Sequence, residues 1–153
     1  MAVTLEINQE PDQNILYLPR EEDFIQWCQL ALDAKEKDYE INLNIVSLAK
    51  IQELNHTYRS KNKPTNVLSF PFENEFSLDI RLLGDIVVSH EIINKEATEQ
   101  NKTFYAHWAH IIIHSCLHLM GYDHIIEEEA NLMENYEILL LKQLNIANPY
   151  VLR

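Results

Sequence analysis

Val3 to Asn8 alternates weakly between apolar and polar positions and predicts a strand. From Arg20 to Ala34, apolar residues recur at helical spacing: Phe24, Ile25, Trp27, Cys28, Leu30, Ala31 and Leu32. Glu21, Glu22 and Asp23 open that segment, and acidic side chains suit a helix N-terminus. Ile41 to Val46 alternates again through Ile41, Leu43 and Ile45, a second strand. Ser47 offers an N-cap for a helix through Tyr58. Lys61 to Asn66, with Pro64, is a polar loop. Val67 to Phe72 and Leu82 to Ser89 are short β-rich runs, and a short helix follows to Gln100. Thr103 caps a long helix to Met120. Ile125 to Leu144 is amphipathic through Ala130, Met133, Tyr136, Leu140 and Leu144. The order β, α, β, α, β, β, α, α, α lacks strict alternation. It predicts an α+β fold, a small mixed sheet of about four strands packed with about five helices. No repeat or linker interrupts the chain, so a single domain over residues 1–153 is expected, long enough to bury its own core.

The chemistry concentrates in the long helix, FYAHWAHIIIHSCLHLM from Phe104 to Met120. At about 100° per residue, His107, His110, His114 and His118 fall within roughly 80° of one another. The rest of the circumference is apolar (Trp108, Ile112, Ile113, Cys116, Leu117, Leu119), which marks a buried helix. Its histidine stripe must therefore face something polar, because buried polar groups without partners are costly. Gly121 just past the helix end permits the left-handed turn that can bring His124 back beside His114 and His118. The pattern H-x-x-x-H-x-x-G-x-x-H supplies three nitrogen ligands. Three protein ligands with an open fourth position describe a catalytic zinc site. The expected centre is one Zn2+ held by His114, His118 and His124, on the helix and the turn after it. His107 and His110 are read as supporting polar groups, and Cys116, nearly opposite the stripe, as core. The spacing also matches the metzincin proteases, whose general base is a Glu after the first histidine. Here that position is Ser115, which cannot do that task at neutral pH.

Charge alters the picture in two ways. The chain has 12 basic and 24 acidic side chains and a formal charge of −12, which argues against coating nucleic acid or anionic membrane by bulk charge. The cations are uneven, however. Lys50, Arg59, Lys61 and Lys63 share a stretch whose acid is Glu53, whereas Asp123 to Glu137 carries no Lys or Arg. Arg59 is the candidate phosphate grip, because a guanidinium binds phosphate bidentately; the alternative is a cation complementing a helix end. Asp85, beside Gly84 on a predicted strand, is a candidate for orienting a ligand histidine or a plain turn acid. Cys28 and Cys116 form no CxxC pair and read as reduced core thiols. Residues 1–10 show no secretory signal, and the Phe104–Met120 stretch is too short and too polar for a membrane span of roughly 20 residues. A cytoplasmic location without a membrane partner is expected.

His114-Ser115-Cys116-Leu117-His118-Leu119-Met120-Gly121-Tyr122-Asp123-His124 closely resembles the signature of the YbeY family of metal-dependent endoribonucleases. Asn55, Tyr58 and Arg59, the run Pro64-Thr65-Asn66-Val67-Leu68-Ser69-Phe70-Pro71, and Gly84-Asp85-Ile86 agree in order and spacing, so the resemblance covers essentially the whole chain. It departs at Ser115, where the family usually has Gly, and at Asn66, where it usually has Asp. The resemblance implies a cytoplasmic enzyme that cuts single-stranded RNA rather than DNA. It further implies maturation of ribosomal RNA (the 3′ end of the small-subunit 16S RNA in particular), ribosome quality control, and action on the ribosome or its small subunit. It implies catalytic roles for Arg59 and His114. Two alternatives stand beside it: a zinc protease without the usual Glu, and a non-catalytic ribosome assembly factor with structural zinc.

Overall fold

The structure is a computed structural model that describes residues 3–32, 38–72, 80–121 and 127–151. Four strands form one mixed sheet in the order β1-β2-β4-β3. β1 (Val3–Gln9), β2 (Asp38–Val46) and β4 (Ile80–Ser89) run parallel, and β3 (Val67–Pro71) lies antiparallel to β4 at the edge. Five helices accompany them: α1 (Glu21–Leu32), α2 (Leu48–Arg59), α3 (His90–Glu99), α4 (Phe104–Leu119) and α5 (Glu127–Gln143). The expected α+β arrangement is therefore present. β2 starts at Asp38 rather than Ile41. Its polar opening is drawn into the strand because Tyr39 and Glu40 pair with Val3 and Thr4, and strand backbone groups need such partners.

Alternation sorts the side chains to the two faces of the sheet. Ile41, Leu43, Ile45, Ile86 and Val88 join the larger core with Trp27 and Phe24 of α1, Ile93 of α3, Trp108, Ile112 and Ile113 of α4 and Leu141 of α5. Val87, on the opposite face, joins Ile51 of α2 and Leu68 in a smaller cluster. The β2–β4 register skips Leu83: Glu40 pairs with Leu82, but Ile41 pairs with Gly84. This bulge lets Leu83 enter the larger core together with Ile86. The two cysteines are unbonded and buried where α1 meets α4, with sulfurs 3.6 Å apart. The hydrogen bond with Cys28, then burial, push the Cys116 thiol well up, so it stays protonated. No helix among the described residues is long and apolar enough to cross a membrane.

Candidate metal centre

The helix that carries the histidines is built by its ends and its burial. The Thr103 hydroxyl accepts the Ala106 N–H at 3.0 Å and caps α4. Trp108, Ala109, Ile112, Ile113, Cys116 and Leu117 are fully buried along it. The indole of Trp108 donates to Asn94 Oδ1 of α3 at 2.7 Å, which fixes how α4 is rotated in the core. At the C-terminal end, Gly121 takes φ +100° and its N–H bonds the His118 carbonyl at 3.0 Å. Among the described residues a Cβ at Gly121 would meet nothing within 4 Å, whereas its positive φ calls for glycine. His124 and Asp123 lie outside the described residues, so the third expected ligand is not placed.

The stripe meets carboxylates on two other helices. His107, 3% exposed, places Nε2 at 3.0 Å from Glu96 Oε1 of α3. His110 Nε2 lies 3.1 Å from Glu137 Oε2 of α5. His114 Nδ1 hydrogen-bonds Glu137 Oε1. The Tyr150 hydroxyl donates to Glu137 Oε2 and lies 3.2 Å from His110 Nε2. The other ring nitrogen of His114 faces His118, with Nε2 to Nε2 at 3.0 Å. Glu137 is fully buried, while the side chains of His110 and His114 are 14% and 27% exposed. Burial pushes the Glu137 carboxyl up, but the hydrogen bonds from His110 and His114 outweigh it and hold the group at about 2. Burial pulls His110 below its usual value, although Glu137 opposes this. Burial and the adjacent Glu137 push the Tyr150 phenol up.

Two overlapping donor sets are present. His110, His114 and Glu137 each offer an atom within 4.8 Å of the others, a group that could hold a metal ion. His114 and His118 converge through Nε2. Two ligands of one tetrahedral zinc, with bonds of about 2.0–2.1 Å, stand about 3.3 Å apart, so this pair fits that spacing closely. Ser115 does not enter the site. Its hydroxyl is fully buried and donates to the Ile111 carbonyl at 2.9 Å, so nothing in the metzincin base position faces the histidines. Asp85 is half-buried on β4, and no described histidine hydrogen-bonds it. The carboxylate that engages His114 is Glu137, which sequence reasoning did not single out. Its signal was nonetheless present: Met133, Glu137, Leu140 and Leu144 keep the spacing of a buried helical stripe, with an acid in an apolar position.

Arg59 ends α2, exposed, with the left-handed Ser60 (φ +58°) as its cap. Its guanidinium reaches the Ser69 carbonyl of β3 at 3.4 Å. β3 in turn lies against the C-terminal end of α4: at Gly84, Phe70, Pro71 and Leu119 all crowd one point. The fold thus ties the cation to the edge strand that lies against the last turn of α4, which carries His118. Asn55 supports the loop between them by donating to the Lys63 carbonyl at 2.9 Å, and Lys61 and Lys63 are exposed on it.

Asn66, the departure noted in the sequence, donates to Glu96 Oε1 at 3.1 Å, the same oxygen that His107 engages. Burial pushes Glu96 up, but hydrogen bonds from His107 and Asn66 take it below its usual 4.5. A carboxylate held below its unfolded value stabilises the fold above that value and loses the contribution as pH falls on through its lower, folded value. Asn66→Asp would replace a donor by a like charge. A stability loss of about 1–2 kcal/mol is expected at pH 7, narrowing below about pH 5, where the paired acids share a proton. Thermal melts at both pH values check this; equal melting temperatures at pH 7 would contradict it.

The fold and site define an α+β protein whose buried helix presents histidines to a carboxylate-backed centre able to hold a metal ion. The family described as endoribonuclease YbeY matches residues 6–145, and the chain belongs to that family of endoribonucleases. Endoribonuclease YbeY of Colwellia psychrerythraea is 46% identical over 138 residues, covering 88% of this chain and 89% of that protein. The solution structure of TM1509 from Thermotoga maritima matches over 97% of this chain and 99% of that one. It does so with a TM-score of 0.56 at 24% identity, a likeness of fold.

Proposed function

We propose that the chain is a zinc-dependent endoribonuclease of single-stranded RNA. In this reading it acts in the cytoplasm on ribosomal RNA, at the 3′ end of the 16S RNA, and in ribosome quality control, as one domain over residues 1–153. The observation that carries the metal reading is the convergence of His114 Nε2 and His118 Nε2 at 3.0 Å. One zinc would be held by His114, His118 and His124, and when bound it supplies a Lewis acid beside the scissile phosphate.

The chain's own residues do the rest. His114 and His118 leave the core helix through a partly exposed stripe, so the phosphate can approach them from solvent. Arg59 offers a planar pair of donors to the phosphate oxygens and stabilises charge that grows there. If the RNA 2′-OH is the nucleophile, it would attack the adjacent phosphorus, pass its proton to solvent and expel the 5′-oxygen as an alcohol, with no protein carboxylate required as base. Ends bearing a 2′,3′-cyclic phosphate identify that route, and 3′-hydroxyl ends identify attack by water.

The net charge of −12 sets the conditions. Phosphate contacts dominate nucleic-acid affinity, so the free protein should bind naked RNA weakly, and raised salt should weaken it further. Docking on the ribosome would then supply the targeting. The test is cleavage of matched single-stranded RNA, duplex RNA and single-stranded DNA by the purified protein over a salt series. Cutting confined to single-stranded RNA and lost at high salt supports the reading. Cutting of duplex, or tight salt-insensitive binding, contradicts it.

A further inference from the structure

We propose that Glu137 is the positioning residue of this centre: it accepts a hydrogen bond from the Nδ1–H of His114 and so aims the His114 Nε2 lone pair at the metal. The inference rests on the metal reading above and adds a residue outside the histidine signature. A carboxylate with no exposure is expensive to bury unless several donors hold it. Glu137 has three: His114 through Oε1, and His110 and Tyr150 through Oε2. An imidazole that donates through Nδ1 is, when neutral, unprotonated and an acceptor at Nε2. For His114 that nitrogen is the one facing His118 Nε2 at 3.0 Å. Carboxylates that hold the far nitrogen of a ligand histidine fix both its tautomer and its ring angle.

The same hydrogen bonds assign His110. If its Nε2 donates to Glu137, its neutral ring leaves Nδ1 as an acceptor, and that atom is buried without a hydrogen-bond partner among the described residues. His110 and Tyr150 therefore hold Glu137, Glu137 holds His114, and His114 meets the metal. Tyr150 comes from the segment after α5, so the C-terminal segment braces the centre although it supplies none of the proposed ligands.

The experiment is zinc affinity by chelator competition, on folded protein, for wild type, Glu137→Ala, Glu137→Gln, His110→Ala and His118→Ala. His118→Ala should lose tight zinc binding. Glu137→Ala should weaken it about 10- to 100-fold. Glu137→Gln, which keeps an acceptor for the His114 Nδ1 proton, should recover most of that loss. His110→Ala should weaken zinc less than Glu137→Ala does. Wild-type affinity in Glu137→Ala, with His118→Ala zinc-free, overturns the positioning role alone. Zinc retained in His118→Ala but lost in His110→Ala and Glu137→Gln overturns the underlying site and makes Glu137 a ligand. Nitrogen-15 spectra of the histidines in zinc-loaded wild type give a second readout that needs no variant. The His114 proton belongs on Nδ1, and a proton on Nε2 overturns the proposal.

Discussion

Gly84→Ala should cost about 3 kcal/mol of stability. A Cβ there would stand 2.2 Å from the Phe70 carbonyl oxygen and 2.9 Å from the Pro71 Cα, both backbone atoms that cannot swing aside. It would also stand 3.0 Å from Leu119 Cδ2, and the residue holds φ +150°. Relief requires β3 to leave β4, where Pro71 pairs with Gly84 and Phe70 with Asp85. The Leu119 side-chain tip can shift by a few tenths of an ångström, so the two backbone contacts set the cost. Gly121→Ala is the matched control: no described residue would crowd its Cβ, and the strained backbone costs about 1–2 kcal/mol. Urea unfolding of the two variants measures the contrast. Equal, small losses would mean that the β3 approach yields more easily than its geometry indicates.

Arg59→Ala carries the second large effect, and it falls on activity. In the role proposed for Arg59, removing a donor to developing phosphate charge costs about 10²- to 10³-fold in rate. Arg59→Lys should recover only part of it, because an ammonium cannot grip a phosphate through two parallel hydrogen bonds. Stability should hardly change. Arg59 is exposed, and its bond to the Ser69 carbonyl, at 3.4 Å, is long. Zinc content should be that of wild type, since Arg59 contacts neither His114 nor His118. Cleavage rates read beside zinc content separate the roles: a parallel loss of metal and activity would contradict a phosphate-binding role for Arg59.

Much of this architecture is legible in the chain. The four strands and five helices follow from alternation, helical spacing and caps, and Ser47 and Thr103 cap the helices that they announce. The histidine stripe is legible because a helix apolar on its other faces leaves a polar row nowhere to go but towards partners. What those partners are is not legible. Glu96 and Glu137 reach the stripe from other helices, and contacts between segments this far apart leave no local periodicity. Asp85 drew attention because it neighbours a glycine on a strand, yet His114 is engaged by an acid on α5. The clue was an acid standing in line with Met133, Leu140 and Leu144, where the pattern asks for an apolar residue. Strand order was equally hidden: β4 inserts between β2 and β3, and no residue near either strand announces that. The role of Asn66 emerges only from the fold, which places Glu96 within reach of its amide.

Cleavage of single-stranded ribosomal RNA by the purified protein, with a chelator and His114→Ala as paired controls, bears most directly on the claim that chemistry resides at this centre. Cutting by wild type should vanish with chelator, return on adding zinc, and be absent from His114→Ala under every condition. Cutting that survives both the chelator and the substitution would contradict a metal centre on α4 and place the nuclease chemistry elsewhere in the molecule.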